Sequence, residues 1–294
     1  MKKKILKLLF IMSALVLVSC GESNNDEHAN AGLQDSTTSV PDSSAEQTVF
    51  YNLPSPLETF TILKISGAAF DKSLLNPVDK ISKYTTNAAK AINLGIYSTD
   101  LSMSFMYKQN QEVNLYLKNV SALSNSLQID GSYGQFVFKR MQANENNLDS
   151  LMQIVSEASV NTDIYLKENQ RNSAVVLIAA GAWIESLHII ANIANKTQKE
   201  DVIALVADQR VAISPLVNML EQHQSDADVA VIIEDMKSLA SIYALLEAKE
   251  IATATASVEK GIPNVGNNKS YSLSKDQLKS ILKKTEAIRN KFTN

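Results

Sequence analysis

A single cysteine, Cys20, serves all 294 residues. No partner thiol exists for a disulfide, and neither a cysteine zinc site nor a further nucleophilic thiol can be built. Histidine is nearly as scarce, with His28, His188 and His223 the full set, so pairs of nucleophile and base are few. Nine glycines and an aromatic share of 6% suit a β-sandwich poorly, because that architecture draws on turn glycines, β-branched and aromatic residues. The 28 Lys and Arg against 31 Asp and Glu leave a formal charge of −3, which offers no electrostatic footprint for nucleic acid. Also missing are Gly-x-Ser-x-Gly, His-Glu-x-x-His, Gly-x-Gly-x-x-Gly and the P-loop pattern, the local signatures of several hydrolase and nucleotide chemistries. What is present is a hydrophobic content of 45%, set largely at helical spacing.

The N-terminus carries the clearest signal. Lys2, Lys3, Lys4 and Lys7 precede an apolar run from Leu8 to Val18 that only Ser13 interrupts. A basic region before a stretch too short to span a bilayer reads as a secretory signal peptide over residues 1–19. Leu17-Val18-Ser19-Cys20 resembles the bacterial lipobox, which implies cleavage before Cys20, a diacylglycerol thioether on its sulfur and a palmitate-type acyl chain on its amine. Several acyl chains, at about 0.8 kcal/mol per buried CH₂, make a stable anchor where one would not. Loss of the four lysines takes the charge to −7, of which Glu22, Asp26, Glu27, Asp35, Asp42 and Glu46 hold −6. Residues 20–50 have little apolar surface to offset ordering entropy and read as an acidic disordered tether. A near-neutral domain over residues 51–294 follows, and an acidic leash disfavours its close adhesion to anionic headgroups.

Helix start signals dominate that domain. Ser55-Pro56-Leu57-Glu58 combines an N-cap serine, proline at the first helical position and a capping-box glutamate. Thr197-x-x-Glu200, Ser132-x-x-Gln135 and Ser274-x-x-Gln277 have the same form, and Ser225-x-x-Asp228 is a looser variant. The spacing predicts helices over 55–67, 78–84, 87–107, 109–128, 132–143, 146–168, 173–195, 198–222, 226–257 and 274–292. Proline at Ser214-Pro215 should kink the helix holding it. Gly261, Pro263 and Gly266 mark a long loop, so the last helix docks as a separate element. Ala174 to Ile184 is apolar all round until Glu185, Ser186 and His188, which reads as the central helix of a soluble core.

Two stretches align at an offset of 86 residues. Gly95-Ile96-Tyr97-x-x-Asp100-Leu101 lies over Gly181-Ala182-Trp183-x-x-Ser186-Leu187, with Ile92 over Ile178. A small residue precedes an aromatic by two positions in each, and a duplication would pack the copies together. Tyr97, Asp100, Trp183, Glu185 and His188 would then line one polar–aromatic seam, a candidate small-ligand pocket. Glu185-x-x-His188 places a carboxylate and an imidazole on one helical face. Di-iron bundles use that spacing twice with two further glutamates; here it occurs once, so no metal and no cofactor is read from it. Asp100, Glu112, Glu157 and Asp163 could pair as acid and base only if the fold set two of them across a cleft.

Leu53-Pro54-Ser55-Pro56-Leu57-Glu58, Leu75-Asn76-Pro77, Lys83-Tyr84-Thr85-Thr86-Asn87, Asn93 to Leu101 and Gly181 to Glu185 together resemble an uncharacterised, all-helical family of predicted Bacteroidota lipoproteins. The likeness covers about residues 51–250 and implies no catalytic residue. Gly21 to Glu27 is similar to the acidic signals that send such lipoproteins to the cell surface. Asp35-Ser36-Thr37 is similar to their O-glycosylation sequon, which implies a sugar on Ser36; Asp149-Ser150-Leu151 also fits but is expected to be buried in a helix and unmodified. The sequence thus predicts an all-α antiparallel helical bundle, with two candidate related halves, behind a tether. The expected protein is lipid-anchored in the outer membrane, on its periplasmic or cell-surface face. It acts as a non-catalytic helical binding or structural module for an envelope protein or small ligand. The alternative is a ligand-binding or catalytic pocket at the Tyr97/Trp183 seam.

Overall fold

A computed structural model describes residues 53–129, 131–144, 146–250 and 269–294. The N-terminal stretch expected to be a signal peptide, Cys20, Ser36 and the acidic segment, like the stretch from Gly261 to Gly266, lie outside the described residues. Within them the protein is all-α. The helices are α1 (Pro56–Ile65), α2 (Asn87–Met106), α3 (Asn110–Ser126), α4 (Gly131–Ala143), α5 (Leu148–Glu168), α6 (Asn172–Thr197), α7 (Glu200–Asp208), α8 (Arg210–Glu221), α9 (Ala227–Ala244) and α10 (Lys275–Thr293). Two three-residue strands, β1 (Ala248–Glu250) and β2 (Lys269–Tyr271), pair antiparallel with Ala248 opposite Tyr271 and lead into α10.

Side-chain caps start several helices. Ser55, Thr86 and Asn147 each accept a hydrogen bond from the backbone N–H three residues on, which satisfies one otherwise orphaned donor. Ser274 and Gln277 form a full reciprocal capping box. Two expected caps are displaced. The Thr197 hydroxyl donates to Ile193 inside α6, while α7 starts without a side-chain cap. The cap of α9 is Asp226 rather than Ser225. Residues 78–83 form a 3₁₀ turn, not an α-helix. The single helix expected over 198–222 breaks at Gln209, where tighter i→i+3 bonds intervene, and Pro215 lies inside α8. Asp149 is exposed and Ser150 half-buried in the first turn of α5, so only Leu151 of that tripeptide is buried as expected.

The organising contact is the crossing of α2 and α6. A methyl group added at Gly95 would lie 2.0 Å from the Ile178 carbonyl oxygen, and one at Gly181 would lie 2.0 Å from the Ile92 oxygen. Only hydrogen at both positions lets the backbones approach this closely. The contact is reciprocal between positions 86 apart, the pattern that packing of two equivalent helices about a two-fold axis gives. Thr99 ties the crossing further by donating its hydroxyl to the Ala182 carbonyl at 3.2 Å. α6 also touches α1, α5, α7, α8, α9 and α10. It is long and apolar enough to cross a membrane, yet 89% of that apolar window is buried inside the domain, as expected of a central core helix.

Candidate functional site

The interior between α2, α6 and α10 is polar at its centre. Glu185 on α6 receives two hydrogen bonds from Arg289 on α10, at 2.5 Å from Nε and 2.8 Å from Nη2. Such fork-to-fork pairing is the strongest form of a carboxylate–guanidinium contact. Burial opposes the Arg289 charge, but the Glu185 carboxylate outweighs that and holds its pKa above the ordinary range. Nη2 also donates to the Leu74 carbonyl at 3.3 Å. One turn along α6, the same carbonyl favours a proton on the His188 ring, whose Nδ1 lies 3.2 Å from Asn192 Nδ2. A neutral ring, accepting at Nδ1 and donating from the other nitrogen, satisfies both contacts. Burial pushes its pKa down to about 4, with Glu185 pulling the other way.

Asp100 on α2 completes the cluster. Its Oδ2 accepts the Asn76 N–H at 3.1 Å, while the buried Oδ1 has no donor. Burial first, and then the Glu185 charge, raise the Asp100 pKa well above the carboxylate range, with Arg289 opposing. Burial thus favours the neutral form of Asp100. With that form, the pairing of Glu185 with Arg289 leaves the cluster without an uncompensated charge, a balance that a closed interior tolerates.

Neighbouring polar groups hold the irregular segment 75–78, of which Leu75 and Asn76 are buried and Pro77 is exposed. Tyr116 donates to the Asn76 carbonyl at 3.0 Å, Tyr97 to the Pro77 carbonyl at 2.8 Å, and Asn119 to the Val78 carbonyl at 2.8 Å. Asn76 Nδ2 reaches Tyr84 Oη at 3.0 Å. Non-helical backbone can be buried only when its polar groups are matched in this way. Tyr97 also packs between Tyr84 and Tyr116, with ring centroids 6.1 and 5.9 Å apart, and burial raises all three phenol pKa values. Asn93 Nδ2 donates to the Phe292 carbonyl at 2.8 Å, so α2 grips the end of α10 as well. Chemically, the arrangement is a latch that fastens α10 and the Leu75-Asn76-Pro77 segment to the α2–α6 pair.

Four of the five candidate pocket residues therefore meet around this cluster: Tyr97, Asp100, Glu185 and His188. Trp183 does not join them. It packs against Tyr243 of α9 at 6.5 Å between ring centroids and is 3% exposed. Of the other carboxylates, Glu112 pairs with Lys72 at 2.6 Å, Glu157 with Arg140 at 2.7 Å and Asp163 with Lys167 at 3.4 Å, each with its own cation. Among the described residues no three of His, Cys, Asp and Glu gather as a metal site. Arg289 and Asn76 are the central residues that spacing arguments missed. The readable signal for Arg289 was its place on the buried face of α10, four residues after Thr285 and eight after Ile281.

Open space lies elsewhere. A chamber of about 390 Å³ sits between α1, α5 and α6, bordered by Leu53, Val155, Val160, Ala179 and Trp183. A second, of about 230 Å³, runs between α2 and the α4–α5 hairpin beside Leu94, Val137 and Met141. Pro56, Val155, Ser159 and Ala182 line both. The buried Trp183 Nε1 has no hydrogen-bond partner. Neither chamber is lined by Asp100, Glu185 or His188. Comparison of the chain with protein-family models, curated proteins and solved structures gives no match in any of the three.

Proposed function

We propose that this chain is a lipoprotein held in the outer membrane by acylated Cys20, facing the periplasm or the cell surface, and that its helical domain is a non-catalytic binding module. One observation supports the second half most. The groups that acid–base catalysis would draw on, Asp100, Glu185 and His188, are at most 8% exposed, with Glu185 engaged in fastening α10, whereas the open chambers are lined mainly by apolar residues. The lipobox resemblance at Leu17 to Cys20 supports the first half. An acidic leash over residues 21–50 would raise the effective concentration of the domain for an envelope partner or small ligand close to the membrane. The alternative, a pocket at the Tyr97/Trp183 seam, is favoured only on its Trp183 side, since the Gly95–Gly181 contact closes the seam itself.

Two experiments test this reading. Metabolic labelling with a palmitate analogue should mark the wild-type protein and miss the Cys20→Ser variant; equal labelling would overturn the anchor. Photo-crosslinking in intact cells should give the same adducts for wild type and for Asp100→Asn/His188→Gln. Loss of those adducts from a folded double variant would move the working site to the polar cluster and overturn the binding-module reading.

A further inference from the structure

The Trp183 chamber has the features of a built site. Its volume of about 390 Å³ falls within the range of small-molecule pockets, about 300 to 1,000 Å³. The adjoining chamber adds apolar space past Val155 and Ala182. Among the described residues Glu58 is the only charged one lining either, so a bound anion would meet no cation among them. Trp183 borders the chamber, and its Nε1–H is buried and unpartnered. An indole N–H in that position costs free energy until something accepts its hydrogen bond. A polypeptide segment fits less well, because its backbone brings a donor and an acceptor with each residue, more than Ser55, Gln153, Ser156 and Ser159 can match. A purely apolar molecule would leave the indole unsatisfied.

We propose that this chamber binds an uncharged single-chain amphiphile, an acyl chain bearing an ester or amide carbonyl. A small turn of the indole brings Nε1 to the chamber, where the carbonyl accepts its hydrogen bond, and the chain lies along Val155, Val160 and Ala179. Longer chains extend past Ser159 and Ala182 into the second chamber. Free fatty acids bind more weakly, because the carboxylate would be desolvated near Glu58 with no compensating cation. This assignment names the ligand class of the binding module proposed above and rests on that reading.

The chain contains one tryptophan, so its fluorescence reports on this chamber alone. The test titrates the full mature chain, with Cys20→Ser so that its own lipid is absent, with 2-bromoundecanoyl glycerol, whose bromine sits beside the ester carbonyl and quenches indole emission on contact. The expected result is saturable quenching, with 2-bromoundecanoate weaker by roughly tenfold or more. Glu58→Gln should narrow that gap. Ser159→Phe, which fills the shared wall, should weaken quenching by a similar factor while the far-ultraviolet circular dichroism stays unchanged; Ser159→Leu serves if the larger residue prevents folding. Absence of saturable quenching in the folded chain overturns the proposal, as does equal quenching of a folded Ser159 variant, which would place the ligand elsewhere. A failed titration with unchanged cellular crosslinks removes the ligand class alone, whereas changed crosslinks in the polar-cluster variant remove the binding-module reading beneath it.

Discussion

Replacing Glu185 by glutamine and Asp100 by asparagine should have opposite consequences, although both swaps exchange a buried carboxyl for an amide of the same shape. Glu185 carries the negative charge that Arg289 meets with two hydrogen bonds of 2.5 and 2.8 Å. Glu185→Gln leaves a buried guanidinium uncompensated, and breaking a buried pair in that way costs about 3–5 kcal/mol. That is a large part of the roughly 5–15 kcal/mol that stabilises an ordinary domain. Asp100 is the member whose neutral form burial favours. In Asp100→Asn the amide oxygen still accepts the Asn76 N–H, so the direct cost stays under about 1 kcal/mol. Linkage adds a gain. The folded Asp100 pKa is raised, so its contribution to stability is complete below its unfolded value and declines as pH rises through the interval above it. Asparagine has no such decline. Urea unfolding followed by circular dichroism at pH 5, 7 and 8.5 should therefore show Asp100→Asn improving relative to wild type as pH rises, with Glu185→Gln impaired throughout. Equal damage from both variants at pH 7 would mean that Asp100 is ionised and shares Arg289, and the charge assignment of the cluster would be wrong.

The remaining predictions address other parts of the fold. Gly95→Ala and Gly181→Ala each place a methyl group against a backbone oxygen 2.0 Å away, so each should cost about 1–3 kcal/mol or more; the double variant should cost less than the sum, because one separation of the helices relieves both clashes. An unchanged melting temperature in either would refute the crossing. His188 stays neutral when folded down to about pH 4. Its contribution is complete above about 6.5 and falls as pH drops toward 4, by up to about 3 kcal/mol; urea titrations of His188→Gln should show a flatter acid limb, and an identical limb would refute the assignment. Trp183→Ala should cost about 3–5 kcal/mol. Trp183→Phe should cost far less in the same thermal melts, since it removes an unpartnered N–H together with the lost ring area; equal losses would show that Nε1 is satisfied in the folded protein.

Much of this fold was legible because helical spacing and caps agree. Ser55 and Ser274 cap the helices they were expected to start, Thr86 caps the helix expected from 87 without having been singled out, and the apolar run of α6 became the central helix. Helix ends were harder to read. Lys108, Gln128, Gln170 and Gln198 adopt left-handed backbone near helix ends, a role that glycine would advertise and glutamine does not. The break at Gln209 likewise has no local marker, while Pro215, the expected breaker, is absorbed within α8. The small-residue repeat did point to the α2–α6 crossing through Gly95 and Gly181. It could not reveal that α10 returns to place Arg289 beside Glu185, since that pair is 104 residues apart in sequence. Nor could it separate Tyr97 from Trp183, because one helical face looks much like the next until its neighbours are known.

The most direct test of a binding domain with a sealed polar latch is crystallographic. Crystals of the mature chain grown with 2-bromoundecanoyl glycerol would be measured at the bromine absorption edge. The account predicts one strong anomalous peak per chain in the chamber bounded by α1, α5 and α6, with the ester carbonyl within hydrogen-bond distance of Trp183 Nε1 and the Glu185–Arg289 pair unmoved. An empty chamber, or ligand ordered instead against Asp100, Glu185 and His188, would contradict it.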